Sequence, residues 1–202
     1  MEIAVMVNDS IGHRGHVSEV EGAGAIVSLR PERLDERQAW ALAHEIGEMH
    51  KDDFFREVGA DPDERSSEAA EVFANVFACR LLLPTLWFAR DAERLDFDLP
   101  ALKAIYSSAS HEVVAIRTLD LAEPAIVSIW DHGKLTRRQS NVGTLPVSEA
   151  ERECQAAVHS SGRCRWVRVG EVAARGWPVN EPNWKREILR AIPHEPQATQ
   201  WT

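Results

Sequence analysis

No apolar run in the sequence is long enough to cross a membrane. A membrane-spanning helix needs about 18 to 20 consecutive, mostly apolar residues, and no stretch of the 202 residues approaches that length. The first residues also lack a basic segment followed by an apolar stretch and a cleavage site, which is the pattern of a secretory signal peptide. We therefore expect a cytoplasmic protein that has no membrane partner.

Cysteine and positive charge are also scarce. The three cysteines, Cys79, Cys154 and Cys164, are too few and too scattered for a disulfide framework, and this favours a reducing compartment. The formal net charge of −9 argues against direct nucleic-acid binding, which needs a basic surface for the phosphates. Hydrophobic residues make up 44% of the chain and charged residues 27%, which is typical of a globular protein that can bury a core.

The pattern of apolar residues predicts an α+β fold. A β-prone run predicts a strand over residues 25–29, and apolar residues at three- and four-residue spacing predict helices over 34–51 and 67–83. The same criteria predict further helices after Pro100 and over 110–121, 149–159 and 184–191, and further strands over 125–130, 135–139 and 165–169. The capping-box spacing of Ser148 and Glu151 marks the start of the helix over 149–159. The character of the chain changes near residue 122, where we place a domain boundary.

The segment from Ala43 to His50, AHEIGEMH, holds the most informative residues. In zinc peptidases the pattern H-E-x-x-H places two imidazoles one turn apart on a helix, and the glutamate between them serves as general base toward an activated water. His44 and Glu45 match the first half, and Glu48 stands where the second histidine would be. Glu48 lies about 40° from His44 around the helix, so its carboxylate shares the ligand face. His50 lies about 120° away and would join only if the helix ended or bulged before it.

Glu71, on the second predicted helix, is the third candidate ligand. That helix is apolar on most sides, so we expect its carboxylate to be buried, which is costly unless the charge is paired or binds a metal. Small residues on the same face, such as Ala74, would let another helix approach closely. Two alternatives stay open: Glu71 is exposed or paired with an arginine, or Glu68, one turn earlier, is the ligand instead.

Two segments together resemble the ImmA/IrrE family of bacterial and phage metallopeptidases. In that family a helix with H-E-[IL]-G-H is followed by the pattern E-x-x-A-[ND]-x-F-A-x-x-L-L-x-P. This chain has RQAWALAHEIGEMH at residues 37–50 and EVFANVFACRLLLP at residues 71–84. The second match is the more specific of the two, and the resemblance extends over residues 22–122.

The resemblance implies a zincin-like helical catalytic domain with a small edge sheet at 1–122, followed by a small α/β region at 123–202. It implies a metal-dependent endopeptidase with His44 and Glu71 as metal ligands, Glu45 as general base and Glu48 in place of the second histidine. The implied partner and substrate is a helix-turn-helix transcriptional repressor that controls phage, mobile-element or stress-response genes.

The expected metal follows from a ligand set of one histidine and two carboxylates. Zinc is the first expectation, with manganese or iron(II) as alternatives, because oxygen donors are harder ligands than imidazole. We expect the strand over residues 25–29 to hold an extended substrate along its edge. Two other hypotheses stay open: a catalytically impaired relative that binds a repressor or senses a signal without cleavage, and an interaction module without metal. The sequence leaves the oligomeric state open.

Overall fold

The computed structural model describes residues 3–10, 12, 15–20, 24–61, 66–181 and 183–193. Helices and two sheets together confirm the predicted α+β class. The elements in chain order are β1 (Ile3–Val7), β2 (Gly15–Val20), β3 (Gly24–Leu29), α1 (Asp35–Glu57), α2 (Ser67–Leu82), α3 (Thr85–Arg94), α4 (Leu99–Ile105), α5 (His111–Arg117), a 3-10 turn (Thr118–Asp120), β4 (Ile126–Asp131), β5 (Lys134–Ser140), α6 (Glu149–Ser161), β6 (Arg165–Val169), β7 (Val172–Pro178) and β8 (Arg186–Pro193).

The chain divides into two compact units. Unit 1 consists of Met1–Asp91 and Lys103–Ser110, and unit 2 of Ala92–Leu102 and His111–Thr202. Residues of α3 and α4 are thus divided between the units. The predicted domain boundary near residue 122 lies elsewhere along the chain and stays a prediction.

Unit 1 contains a three-stranded sheet in the order β1-β3-β2. Strand β3, which the sequence predicts, pairs in parallel with β1 and antiparallel with β2. Its residues alternate between buried and half-buried, and Val27 and Leu29 form a core cluster with Ala41 of α1. Because both edges of β3 are hydrogen-bonded, the prediction that this strand holds substrate along its edge is wrong. Strands β1 and β2 were not predicted.

Helices α1 and α2 pack closely against each other in unit 1. A Cβ atom on Gly47 of α1 would lie only 3.0 Å from the Cα atom of Ala74 in α2, so the glycine is needed for this approach. Helix α2 begins where predicted, and the side chain of Ser66 caps it by accepting a hydrogen bond from the Ala69 N–H at 3.1 Å. Helix α1 is longer than predicted and continues without a break to Glu57.

Unit 2 contains a five-stranded antiparallel sheet in the order β5-β4-β8-β7-β6, and α6 packs against one face of it. The capping box of Ser148 and Glu151 at the start of α6 is confirmed. The predicted helix over 184–191 is wrong, because β8 forms there, and β7 was not predicted. Strand β8 lies at the centre of the sheet and is buried on both faces, so it lacks the alternation that separates a strand from a buried helix.

The length and composition of the helices were compared with those of a membrane-spanning helix. Within the described residues, no single helix is both long and apolar enough to cross a membrane, although α2 and α3, which are bent by 58° at their junction, meet the criteria together.

Candidate metal centre

Three predicted ligands come together between α1 and α2. His44, Glu48 and Glu71 each offer one ligand atom, and these atoms lie within 4.8 Å of one another. His44 and Glu48 are one turn apart on α1, as the helical spacing predicts. Glu71 enters from α2, with its Oε2 atom 3.6 Å from the Nε2 atom of His44.

The donor set suits a divalent cation. Two ligands of a tetrahedral ion, each bonded at about 2.0–2.2 Å, lie roughly 3.4 Å apart. The 3.6 Å between His44 and Glu71 is close to that separation. One imidazole nitrogen and two carboxylate oxygens are ligands that zinc, manganese and iron(II) all accept. The residues therefore fit a metal site formed by these two helices.

The close packing of α1 on α2 explains why these side chains meet. Both helices present small residues to each other, so their backbones approach closely; Ala74 and Ala78 of α2 are fully buried. Glu71 lies one turn before Ala74 on α2, and His44 and Glu48 flank Gly47 on α1. The small residues set the distance between the helices, and the polar residues beside them form the site.

The expectation that Glu71 is buried is wrong. Its side chain is 61% exposed, and α2 also exposes Val72 and Val76 on the side away from the small residues. Helix α2 is therefore covered mainly along the face of Ala70, Ala74 and Ala78. Glu71 lies near His44 because of its position on α2. Its carboxylate stays in contact with solvent, so burial does not account for its place in the site.

Two neighbours of the ligands were not found from the sequence. Lys51 forms an ion pair with Oε2 of Glu48. Asn75 donates a hydrogen bond from Nδ2 to Oε1 of Glu71 at 3.0 Å. Both neighbours follow their ligand by three or four residues, and side chains at this spacing meet on a helix, so the spacing was the available signal.

Glu45, the expected general base, lies against the edge strand β2. A Cβ atom on Gly15 would be only 2.5 Å from Oε1 of Glu45, so the carboxylate occupies the space that any larger residue would take. Strand β2 is at one edge of the three-stranded sheet. Glu45 is thus adjacent to the ligands in sequence and next to an edge strand in space.

The other candidates in this region are not part of the ligand group. His50 packs beside Phe77, with ring centroids 5.9 Å apart. Because α1 has no break before His50, the condition for its joining the site is not met. Glu68 is exposed on the first turn of α2, and Glu71 rather than Glu68 belongs to the group.

Cys154, His159 and Cys164 of unit 2 differ in burial and in their contacts. Burial raises the pKa of the Cys154 thiol to about 12, and the electrostatic effect of Cys164 acts in the same direction. Cys164 is exposed. His159 makes a 2.8 Å hydrogen bond through Nδ1 to the buried carboxylate of Glu187.

Comparison with known proteins gives a likeness in fold. No protein-family model and no curated protein matches the sequence. A solved structure of a transcriptional regulator from Mycobacterium tuberculosis superposes with a TM-score of 0.64 at 18% identity, over 95% of this chain. The chain spans 66% of that regulator's length. At this identity the likeness shows a shared fold.

Proposed function

We propose that the protein is a metal-dependent endopeptidase of the ImmA/IrrE type. The observation that carries the proposal is the meeting of His44, Glu48 and Glu71 within 4.8 Å, with Glu45 next to His44 on the same helix. The two sequence segments that resemble the family are the segments that supply these residues. Zinc is the first candidate ion, with manganese and iron(II) as alternatives.

In the proposed mechanism, His44, Glu48 and Glu71 would hold the ion. When bound, a divalent ion supplies Lewis acidity, which lowers the pKa of water and polarises a peptide carbonyl. Glu45 takes a proton from the attacking water and passes it to the leaving amine, which is general base followed by general acid catalysis. Asn75 restrains the Glu71 carboxylate through its hydrogen bond, and such neighbours orient ligands in metal sites.

The proposed substrate is a helix-turn-helix transcriptional repressor. An extended segment of the substrate would add to the edge of β2, because backbone hydrogen bonds at a sheet edge can hold a peptide next to Glu45. The structural neighbour, which shares the fold, is named a transcriptional regulator. The net charge of −9 favours a protein partner over direct contact with nucleic acid.

The second candidate is a catalytically impaired relative that binds a repressor or senses a signal without cleavage. The observation that favours it is Glu48 itself, which places a charged carboxylate where the family has a neutral imidazole. A second negative ligand neutralises the cation further and weakens its Lewis acidity. Metal bound by a protein that does not cleave would support this reading.

The decisive experiment compares the wild type with Glu45→Gln. Both are loaded with zinc or manganese, their bound metal is measured, and each is incubated with helix-turn-helix repressors, beginning with one encoded beside this chain. We expect equal metal content and a loss of cleavage by Glu45→Gln of about 10²- to 10⁴-fold, the usual contribution of general acid–base catalysis.

Glu57→Gln serves as the matched control, because Glu57 is an exposed glutamate at the far end of the same helix. It should cleave like the wild type. Equal cleavage by the wild type and Glu45→Gln would contradict the assigned role of Glu45. Metal without cleavage in the wild type would favour the impaired relative, and the absence of metal under every loading condition would exclude both candidates.

A further inference from the structure

Among the described residues, Lys51 is the one lysine or arginine whose contact with a candidate metal ligand is observed. Its ammonium group contacts Oε2 of Glu48 from one turn further along α1. A carboxylate has two oxygens, each of which can accept a hydrogen bond or bind a cation, and Lys51 contacts one of the two. The lysine therefore contacts Glu48 on a single oxygen.

The contact between Lys51 and Glu48 changes the net charge of the ligand set. A neutral His44 with two ionised glutamates gives a ligand set of charge −2, whereas two histidines with one glutamate give −1. Adding the positive charge of Lys51 brings the set of this protein back to −1. The Glu48–Lys51 pair thus has the charge of the imidazole that Glu48 replaces.

We infer that Lys51 is a positioning residue of the metal site, which holds Glu48 through one oxygen and cancels its charge so that the pair acts as a neutral ligand. The inference rests on the proposed metal centre. A neutral pair preserves the Lewis acidity that a second free carboxylate would weaken. It also lowers the affinity for the cation, because an ammonium group close to the ion repels it.

The setting of this pair differs from that of an ordinary surface ion pair. The side chains of Lys51 and Glu48 are 27% and 25% exposed. On the next turns of the same helix, Arg56 and Asp53 form a pair with the same spacing, and their side chains are 62% and 75% exposed. Partial burial holds the first pair in place and reduces the screening of its charge by solvent.

The test measures zinc affinity by competition with a chelator, in the full chain, without any peptidase assay. Lys51→Gln keeps a hydrogen-bond donor three residues from Glu48 and removes the charge. We expect it to bind zinc at least about tenfold more tightly, the effect of removing one unit charge at about 5 Å from a divalent ion across a solvent of high dielectric constant. Lys51→Arg keeps the charge and should bind zinc like the wild type.

Arg56→Gln is the matched control, because it makes the same change of charge in the exposed pair of the same helix. It should leave zinc affinity unchanged. Unchanged or weaker zinc binding by Lys51→Gln, in a protein whose wild type binds zinc, would overturn the role of Lys51 and leave the metal centre in place.

Tighter zinc binding by Lys51→Gln in a protein that cleaves no repressor would support the role of Lys51 while the peptidase function fails. If neither the wild type nor any of the three variants binds zinc at millimolar concentrations, both the inference and the proposed metal centre are overturned.

Discussion

Glu151 of unit 2 and the two glutamates of the candidate metal centre in unit 1 have opposite environments. In unit 2, Glu151 is fully buried, and it accepts hydrogen bonds from Arg138 at 3.0 and 3.1 Å and from Ser148. Burial alone would raise the pKa of Glu151. The hydrogen bonds from Arg138 and Ser148, together with the positive charge of Arg138, outweigh burial and lower the pKa. In unit 1, Glu48 and Glu71 approach one histidine, and their described partners are one lysine and one asparagine.

The contrast separates a structural role from a binding role. A buried carboxylate must be compensated in full, because its desolvation costs several kcal/mol. The glutamates of unit 1 keep access to solvent, so two negative charges can stand close together there at a lower cost. A cluster whose negative charge exceeds its positive charge attracts a cation, and the network around Glu151 has no such excess.

The largest expected effect is on the buried pair. Arg138→Met would leave Glu151 buried without its partner, so we expect the free energy of unfolding to fall by about 3–5 kcal/mol, as for other broken buried pairs. Urea denaturation measures the change. Arg137→Met, at the preceding residue, breaks a more exposed pair with Glu112 and should lower the free energy of unfolding by at most about 1 kcal/mol. Equal losses in the two variants would remove the contrast between buried and exposed carboxylates.

A smaller effect is expected from removing the histidine of the metal centre. His44→Ala deletes a ligand, so zinc affinity should fall by more than about 100-fold, beyond the 10- to 100-fold typical of residues that only support ligands. The control is His159→Ala, which leaves Oε1 of the buried Glu187 without its hydrogen bond, while Gln155 still donates to Oε2. It should reduce stability by about 1–3 kcal/mol and leave zinc affinity unchanged. Zinc loss in His159→Ala, or zinc retention in His44→Ala, would place the site elsewhere.

The smallest effect concerns acid stability in unit 2. Hydrogen bonds from Arg186 lower the pKa of Asp131 to about 2 against the opposing effect of burial, and Thr136 and Trp184 contribute further. Because the folded pKa lies below the unfolded value of about 3.9, this contribution is complete above about pH 4 and disappears as the pH falls toward 2. Unfolding of the wild type and Asp131→Asn followed from pH 7 to pH 2 should show their stability difference shrinking below pH 4. A difference that stays constant over this range would contradict the assignment.

Much of the candidate site could be predicted from helical spacing. His44 and Glu48 share a face because four residues make slightly more than one turn, and no long-range information is needed for that. Glu71 was found for a partly mistaken reason, since its expected burial is wrong although its position beside α1 is right. Lys51 and Asn75 were missed because an ion pair or a hydrogen bond on a helix surface is one of many that the spacing allows.

The sequence by itself determined the elements whose signals are local. These include the periodicity of α1 and α2, the capping box of α6 and the shared face of His44 and Glu48. Only the tertiary structure decided that β3 is a central strand, that Gly15 of β2 lies against Glu45, that Glu71 is exposed and that residues 186–193 form β8. The physical reason is that periodicity shows which residues share a face, whereas burial and strand pairing depend on partners distant in the chain.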